Sequence, residues 1–308
     1  MTPLDRPLRL GTRGSPLALA QARMTAQALC ATHSWDADSI QTVIVQTSGD
    51  RIQDRALAEI GGKALWTKEL DRALVEGEID CAVHSMKDVE TIRPAAIRIA
   101  ALLPRADVRD RLVGAASFAA LPARAVIGTS SPRRAAQVRR RLPDARIILF
   151  RGNVATRLTK LAAGEADATL LAAAGLDRLG QGDVGTAIGE DEMLPAPAQG
   201  AVGIETLADN GTMLGLLGAI SHADTFDCVM MERALLAGLG GTCHSPIAAL
   251  ARVTGDGLTL RAEILSEDGS ECVADSVQCA RGDEGAAHAL GRRLLERASP
   301  ALQALFEG

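Results

Sequence analysis

The sequence predicts an α/β fold: two α/β lobes built from one repeated unit with a cleft between them, followed by a small α+β domain. Three observations carry this. Residues 10–21 (LGTRGSPLALAQ) are echoed at 127–137 (IGTSSPRRAAQ). Residues 74–83 (LVEGEIDCAV) are echoed at 161–170 (LAAGEADATL), in the same order along the chain. In the last third the hydrophobic pattern changes to alternation, as a half-buried strand requires.

Each first echo reads as strand, turn, helix. A short apolar run ends in Gly-Thr, and Ser-Pro opens an Ala-rich segment. Ser15 and Ser131 suit the N-cap, where a hydroxyl accepts a free backbone N–H. Pro16 and Pro132 suit the first helical position, where the missing N–H costs nothing. Each second echo reads as a helix end, a glycine stop and an Asp leading into a buried strand. Val154, Leu158, Leu161 and Ala162 fall on one helical face, and Leu70, Ala73 and Leu74 do the same in the earlier copy. Gly77 and Gly164 then fit the left-handed position that ends a helix. The first copy runs to about residue 103 and the second starts at about 104. Residues 193–200, with Pro195 and Pro197, read as a hinge or crossover. Farther on, Leu258, Leu260, Ala262 and Ile264 alternate with Thr259, Arg261 and Glu263. Residues 247–253 and 272–279 read as neighbouring strands, 255–257 and 268–269 as turns. Residues 283–305 read as helical, with a break near Pro300, giving a small antiparallel sheet with helices on one face.

Composition narrows the function. Aromatic residues are 2% of the 308, with no Tyr, so the core is aliphatic and base-stacking recognition is not supported. A net charge of −5 argues against a general affinity for phosphate backbones, so no nucleic-acid partner is expected. The six cysteines (30, 81, 228, 243, 272 and 279) form no C-x-x-C pair and have no His at ligand spacing, so no metal site is expected. Residues 1–10 lack an apolar signal core, and no run of about 18 apolar residues occurs. A cytoplasmic protein with reduced thiols and no membrane span is expected.

Three constellations carry chemistry. Arg13, Arg133, Arg134, Arg151, Arg157 and Arg178 fall at strand-to-helix turns or in the turn-like stretch 175–180, where α/β folds bind ligands. Helix N-termini attract anions, and arginine grips carboxylates through a planar fork. Their convergence points to a ligand with several carboxylates or phosphates, while any one of them alone fits a solvated or paired surface residue. HSMKD (84–88) follows a strand and sets Lys87 and Asp88 at the cleft edge. A carboxylate among cations can stabilise a developing cation or hand a proton to a leaving amine, though a structural ion pair fits the pattern equally; His84 reads as a hydrogen-bonded core residue. GLGGTCHSPI (238–247) places Cys243 in a Gly-rich loop beside His244, where a thiolate is favoured and approach is open.

Together with GGKALWTKELD (61–71), RGNVATRL (151–158), AGLDRLG (174–180) and PAQGAVGIE (197–205), these strings resemble the porphobilinogen deaminase (hydroxymethylbilane synthase) family over nearly the whole length and in order. The resemblance implies a transferase that joins four porphobilinogen molecules head to tail, releasing ammonia each time, to give hydroxymethylbilane. It implies a dipyrromethane cofactor held by a thioether to Cys243. It implies Asp88 as the catalytic carboxylate, facing pyrrole N–H groups and stabilising an azafulvenium-type cation. Lys87, Asp88, Ser131, Arg133, Arg134 and Arg157 would bind the cofactor, and Arg13, Ser15, Arg151, Arg157 and Arg178 the substrate or growing chain. It further implies a monomer with periplasmic-binding-protein-like lobes. The domains would be 1–103 with 200–220, 104–199, and 221–308, the last carrying the cysteine loop. Thr242, Trp66 and Pro132 depart from residues common in relatives, and none removes a group the chemistry needs. Residues 47–62 are expected to be a lid, with Asp50 contributing.

A non-catalytic two-lobed binder of an organic anion is the alternative. The lobes and arginines serve both readings, whereas Asp88 and the Cys243 loop serve only the enzyme. An enzyme acting on phosphorylated substrates has weaker support, since no P-loop or G-x-G-x-x-G string occurs.

Overall fold

Residues 4–46, 64–240 and 245–306 are described by the computed structural model. In chain order the elements are β1 (Leu8–Thr12), α1 (Pro16–His33), β2 (Ile40–Ile44), α2 (Ala64–Val75), β3 (Cys81–Ser85), β4 (Ile97–Leu102), β5 (Asp110–Val113) and β6 (Val126–Gly128). Then come α3 (Pro132–Arg141), β7 (Arg146–Ile148), α4 (Val154–Ala162), β8 (Ala168–Ala172), α5 (Ala173–Arg178), β9 (Thr186–Ala187), β10 (Val202–Leu207), α6 (Gly211–Gly218) and α7 (Ala223–Gly238). The chain ends with β11 (Ile247–Thr254), β12 (Gly257–Leu265), β13 (Cys272–Ala280), α8 (Glu284–Glu296) and α9 (Pro300–Gln303). The lid expected over 47–62, with Asp50, lies outside the described residues, as does Cys243.

The two echoes are two copies of one sheet. The first sheet has the order β2-β1-β3-β10-β4 and the second β7-β6-β8-β5-β9. In each, the strand before Gly-Thr pairs in parallel with two neighbours, in the same relative register: Leu10 and Gly11 face Cys81 and Ala82, and Ile127 and Gly128 face Ala168 and Thr169. Each also carries an antiparallel strand beside the third member. In the first sheet this is β10, which arrives late in the chain; in the second it is β5, which arrives early. The repeated glycine is a packing requirement. A Cβ on Gly11 would lie 2.3 Å from Ile79 Cδ1, and one on Gly128 would lie 2.4 Å from the Phe150 ring.

The caps follow the sequence expectation. Ser15 Oγ accepts from Ala18 N at 3.3 Å and Ser131 Oγ from Arg134 N at 3.4 Å, with Pro16 and Pro132 opening their helices. Gly77 and Gly164 have φ of +65° and +75°. One expectation changes: the stretch around Arg178, read as a turn, forms α5, because Ala173, Ala174, Gly175 and Leu176 are all buried. The turn begins after it, at Gly180 (φ +70°).

Contacts divide the chain into two compact units, Met1–Ala106 with Gly200–Phe226, and Asp107–Gln199 with Asp227–Gly308. The first is packed around Leu8, Leu10, Leu29, Val83, Val202 and Ile204. Among its described residues the second holds a smaller cluster of Val108, Leu194, Ala248 and Leu250 and two larger cores. One is built on Leu112, Ile127, Val138 and Leu170; the other lies under the three-stranded antiparallel sheet β11-β12-β13, where α7 and α8 supply Met231, Leu235, Leu290 and Leu294. Glu232, fully buried in α7, ties this sheet to the 193–200 segment by accepting from Ala198 N and from Ala251 N at 2.7 Å.

The first unit also buries an ion network. Glu205 on β10 is fully buried, accepts from Arg93 Nε at 2.9 Å, and lies 3.2 Å from His84 Nε2, while Arg93 also engages Asp71 and Glu90. Burial pushes the Glu205 carboxyl up, but His84 and Arg93 outweigh it and bring it from an ordinary 4.5 down to about 2. The ionised form therefore contributes stability that is fully present above pH 4.5 and is lost as pH falls toward 2. Thermal unfolding followed from pH 6 to 2 should show this acid limb, and Glu205→Gln should flatten it; an unchanged limb in the variant would assign acid unfolding elsewhere.

Candidate active site

In the first unit, β1 ends at Thr12 and the cap at Ser15 turns the chain into α1, setting Arg13 and Ser15 at the strand's C-terminal end. Two strands are parallel neighbours here, so β3 ends on the same edge. Beyond it the chain passes through a single 3₁₀ turn, Met86–Asp88. Met86 anchors this turn. It is buried, its N–H donates to Ala201 O at 3.1 Å, and its side chain fills the space over Gly203, where a Cβ would come within 2.0 Å of Sδ. With Met86 turned in, Lys87 and Asp88 are half-buried at the rim. Gln21 Nε2 donates to Ser85 Oγ at 2.8 Å, locking α1 to the end of β3. The result is a hollow lined by Arg13, Ser15, Gln21, His84, Ser85 and Asp88.

Three of the residues read from the sequence, Arg13, Ser15 and Asp88, thus share one hollow. Gln21 and Ser85 were missed. A signal existed for Gln21, since both copies of the first echo end on Gln, at 21 and at 137.

The second unit presents the matching helix start. Arg133 and Arg134, read from the sequence as ligand donors or paired ions, are buried, 4% and 5% exposed, around a fully buried carboxylate, Asp110. Arg133 Nη2 donates to Asp110 Oδ2 at 2.8 Å and Arg134 Nη2 to Oδ1 at 2.6 Å. Gln199 Nε2 adds a third donor at 3.0 Å. Arg133 Nη1 also donates to Leu194 O at 3.1 Å, and Arg134 Nη1 to Leu170 O at 2.9 Å. Burial pushes the Asp110 carboxyl up, yet the two guanidiniums outweigh it and hold it well below the usual carboxylate range. Asp110 had no signal in the sequence: it sits between Arg109 and Arg111 like any surface carboxylate.

The string RGNVATRL forms a strand exit, a tight turn and a capped helix. Gly152 takes φ +106° against Thr156, and Asn153 Oδ1 accepts from Thr156 N at 2.9 Å. Arg157 folds back across the turn, donating from Nε to Gly152 O at 3.0 Å and from Nη2 to Ser130 Oγ at 3.2 Å. Arg151 is half-buried, and its Nη1 has no hydrogen-bond partner among the described residues. Arg178, at the end of α5, is half-buried, and burial lowers its pKa. Ser131 caps α3, so its hydroxyl is half-committed to the backbone.

Comparisons with known proteins give the family. The family model described as "Porphobilinogen deaminase, dipyromethane cofactor binding domain" matches residues 8–214, and "Porphobilinogen deaminase, C-terminal domain" matches 226–299. The chain is 58% identical over 308 residues to a porphobilinogen deaminase of Sphingopyxis alaskensis, covering 98% of this chain and 97% of the relative. It is 54% identical over 273 residues to one from Paracoccus denitrificans (88% and 87% covered) and 47% identical over 303 to one from Nitrobacter hamburgensis (97% and 96%). The solved BvgS VFT2 domain of Bordetella pertussis aligns with a TM-score of 0.37 at 17% identity, over 74% of this chain and 90% of that one.

Removing the charge of Asp110 while keeping its shape would leave two buried guanidiniums without their counter-ion. Asp110→Asn should therefore cost about 3–5 kcal/mol, read as a loss of denaturant midpoint. A cost below about 1 kcal/mol would show that water, rather than this carboxylate, balances the arginines.

Proposed function

We propose that this chain, which belongs to the porphobilinogen deaminase family, joins four porphobilinogen molecules head to tail, with loss of ammonia at each addition, to give hydroxymethylbilane. The observation that carries the reading is the hollow that sets Asp88 beside Arg13 and Ser15. A site that only bound anions would gain nothing from a carboxylate at its rim. A site that must both hold substrate carboxylates and support a developing cation needs both signs of charge.

The donor set fits the dipyrromethane cofactor that the family carries. Two guanidiniums share the Asp110 carboxylate at the first turn of α3. Arg133 Nε, Arg134 Nε and Arg151 Nη1 are buried without a hydrogen-bond partner among the described residues. Such donors suit a group bearing several carboxylates. When bound, dipyrromethane supplies the nucleophilic pyrrole carbon on which the chain is extended.

Cys243 would hold it through a thioether, in the domain that begins near residue 221. Lys87, Ser131, Arg133, Arg134 and Arg157 would bind its carboxylates. Arg13, Ser15, Arg151, Arg157 and Arg178 would orient the acetate and propionate of incoming porphobilinogen. Asp88 would accept hydrogen bonds from pyrrole N–H groups, deliver a proton to the departing amine as the C–N bond breaks, and stabilise the positive charge left on the substrate. The work would be done by a monomer in the cytoplasm, with no nucleic-acid or membrane partner.

The deciding experiment is the intact mass of the denatured protein with a peptide map around residue 243. An excess of two linked pyrroles on that peptide, absent from Cys243→Ser, is the expected result. An unmodified mass that persists after incubation with porphobilinogen would favour the anion-binding alternative. Asp88→Ala should lower turnover by about 10²–10⁴-fold while leaving thermal stability nearly unchanged; activity within tenfold of the parent would remove Asp88 from its role.

A further inference from the structure

The C-terminal sheet touches the arginine turn of α3 through one side-chain pair. Gln137 is 2% exposed and lies one helical turn after Arg133. Its Oε1 accepts from Arg133 Nη1 at 2.9 Å. Its Nε2 donates to Leu194 O at 2.9 Å and to Glu263 Oε1 at 2.5 Å. Glu263 lies on the middle strand of its sheet, opposite Ala248 on one side and Ala274 on the other. A continuous line of polar contacts therefore runs from Asp110 on β5 through Arg133 and Gln137 to Glu263 on β12. The helix is seated on the same sheet farther along. Arg139 Nη1 donates to Glu267 O at 2.7 Å, and a Cβ on Gly269 would come within 2.5 Å of Ala136 O.

The chemistry of the amide makes this line directional. A carboxamide has one acceptor end and one donor end. With Leu194 O and the Glu263 carboxylate both on one side of Gln137, its NH₂ must face them, and its carbonyl must face Arg133. Without an acceptor at 263, one N–H loses its partner and the amide is freer to flip. A flipped amide would point its NH₂ at the Arg133 guanidinium, donor against donor. Glu263 thus joins Leu194 O in favouring the orientation in which Arg133 meets the carbonyl of Gln137, and adds to what holds the guanidinium.

We infer that Glu263 and Gln137 are positioning residues, through which the C-terminal sheet sets the orientation of Arg133 for a carboxylate-bearing pyrrole. The ligand class rests on the reaction proposed above; the coupling itself does not. Glu263 borders an open hollow of about 740 Å³ shared with Arg140, Arg141 and Arg261, so shortening it opens no void in a packed core.

The test compares Glu263→Ala with Glu263→Gln, whose carbonyl can still accept from Gln137. Hydrogen–deuterium exchange over the first turn of α3 needs no substrate, and steady-state turnover of porphobilinogen reads the consequence. Glu263→Ala should speed exchange there and lower kcat/KM by about 3–10-fold, the loss of one net hydrogen bond, without a matching loss of thermal stability. Glu263→Gln should restore both. Unchanged exchange in Glu263→Ala, or changed exchange with unaltered kcat/KM, would overturn the inference. Failure of the glutamine variant to rescue would overturn the amide-orientation argument in particular. A parent protein inert toward porphobilinogen would overturn the deaminase reading instead, while the exchange comparison would still decide whether Glu263 controls this turn.

Discussion

The interaction on which the second unit depends is one carboxylate shared by two arginines. Asp110 is fully buried, and so in effect are Arg133 and Arg134. Ions cannot be taken out of water singly without a penalty of several kcal/mol each, so the three groups constrain one another. The constraint propagates outward. β5 must lie beside β8 so that Asp110 faces the start of α3, and the chain at Leu194 and Gln199 must return to the same place to supply a carbonyl and an amide. A second carboxylate, Glu263, reaches the same cluster through Gln137 and acts on Arg133 from the C-terminal sheet.

The first unit solves the same geometric problem with different chemistry. Its equivalent turn bears Arg13 and Ser15 at a half-buried surface, and the charge network is set back behind the strand end, where Glu205, Arg93 and His84 lie. Its polar lock on the helix is Gln21 to Ser85, where the second unit uses Gln137 to Leu194 and Glu263. One scaffold therefore yields two kinds of rim: a neutral lock that presents a carboxylate at Asp88, and a cationic turn held from beneath.

The mounting of α3 bears on how the family's reaction can be organised in this chain. The helix rests on β12 and on the turn at Gly269, and the 193–200 segment is fastened to the same sheet through Glu232. The C-terminal sheet and the arginine turn therefore belong to one compact unit. Whatever orients the sheet also orients the guanidiniums.

The sequence by itself determined the local structure and much of the chemistry. The paired strings with Gly-Thr and Ser-Pro dictated strand, cap and helix because those steps are decided by neighbours a few residues apart. Gly77 and Gly164 marked helix ends for the same reason, and the alternation from Leu258 to Ile264 announced a strand with one wet face. That Asp88 lies near Arg13 and Ser15 was legible because the repeated strings mark two strand ends, and the two strands are parallel neighbours. Only the tertiary structure decided which carboxylate the buried arginines meet. Arg133 and Arg134 could be read as ligand donors or as paired ions, and the carboxylate that pairs them lies more than twenty residues away in β5. Glu263, farther still, read as the polar side of an alternating strand. Nor could local pattern show that the fourth strand of the first sheet comes from β10 and that of the second from β5. Pairings of this kind depend on which surfaces meet when the chain closes on itself, and spacing along the sequence carries no record of that.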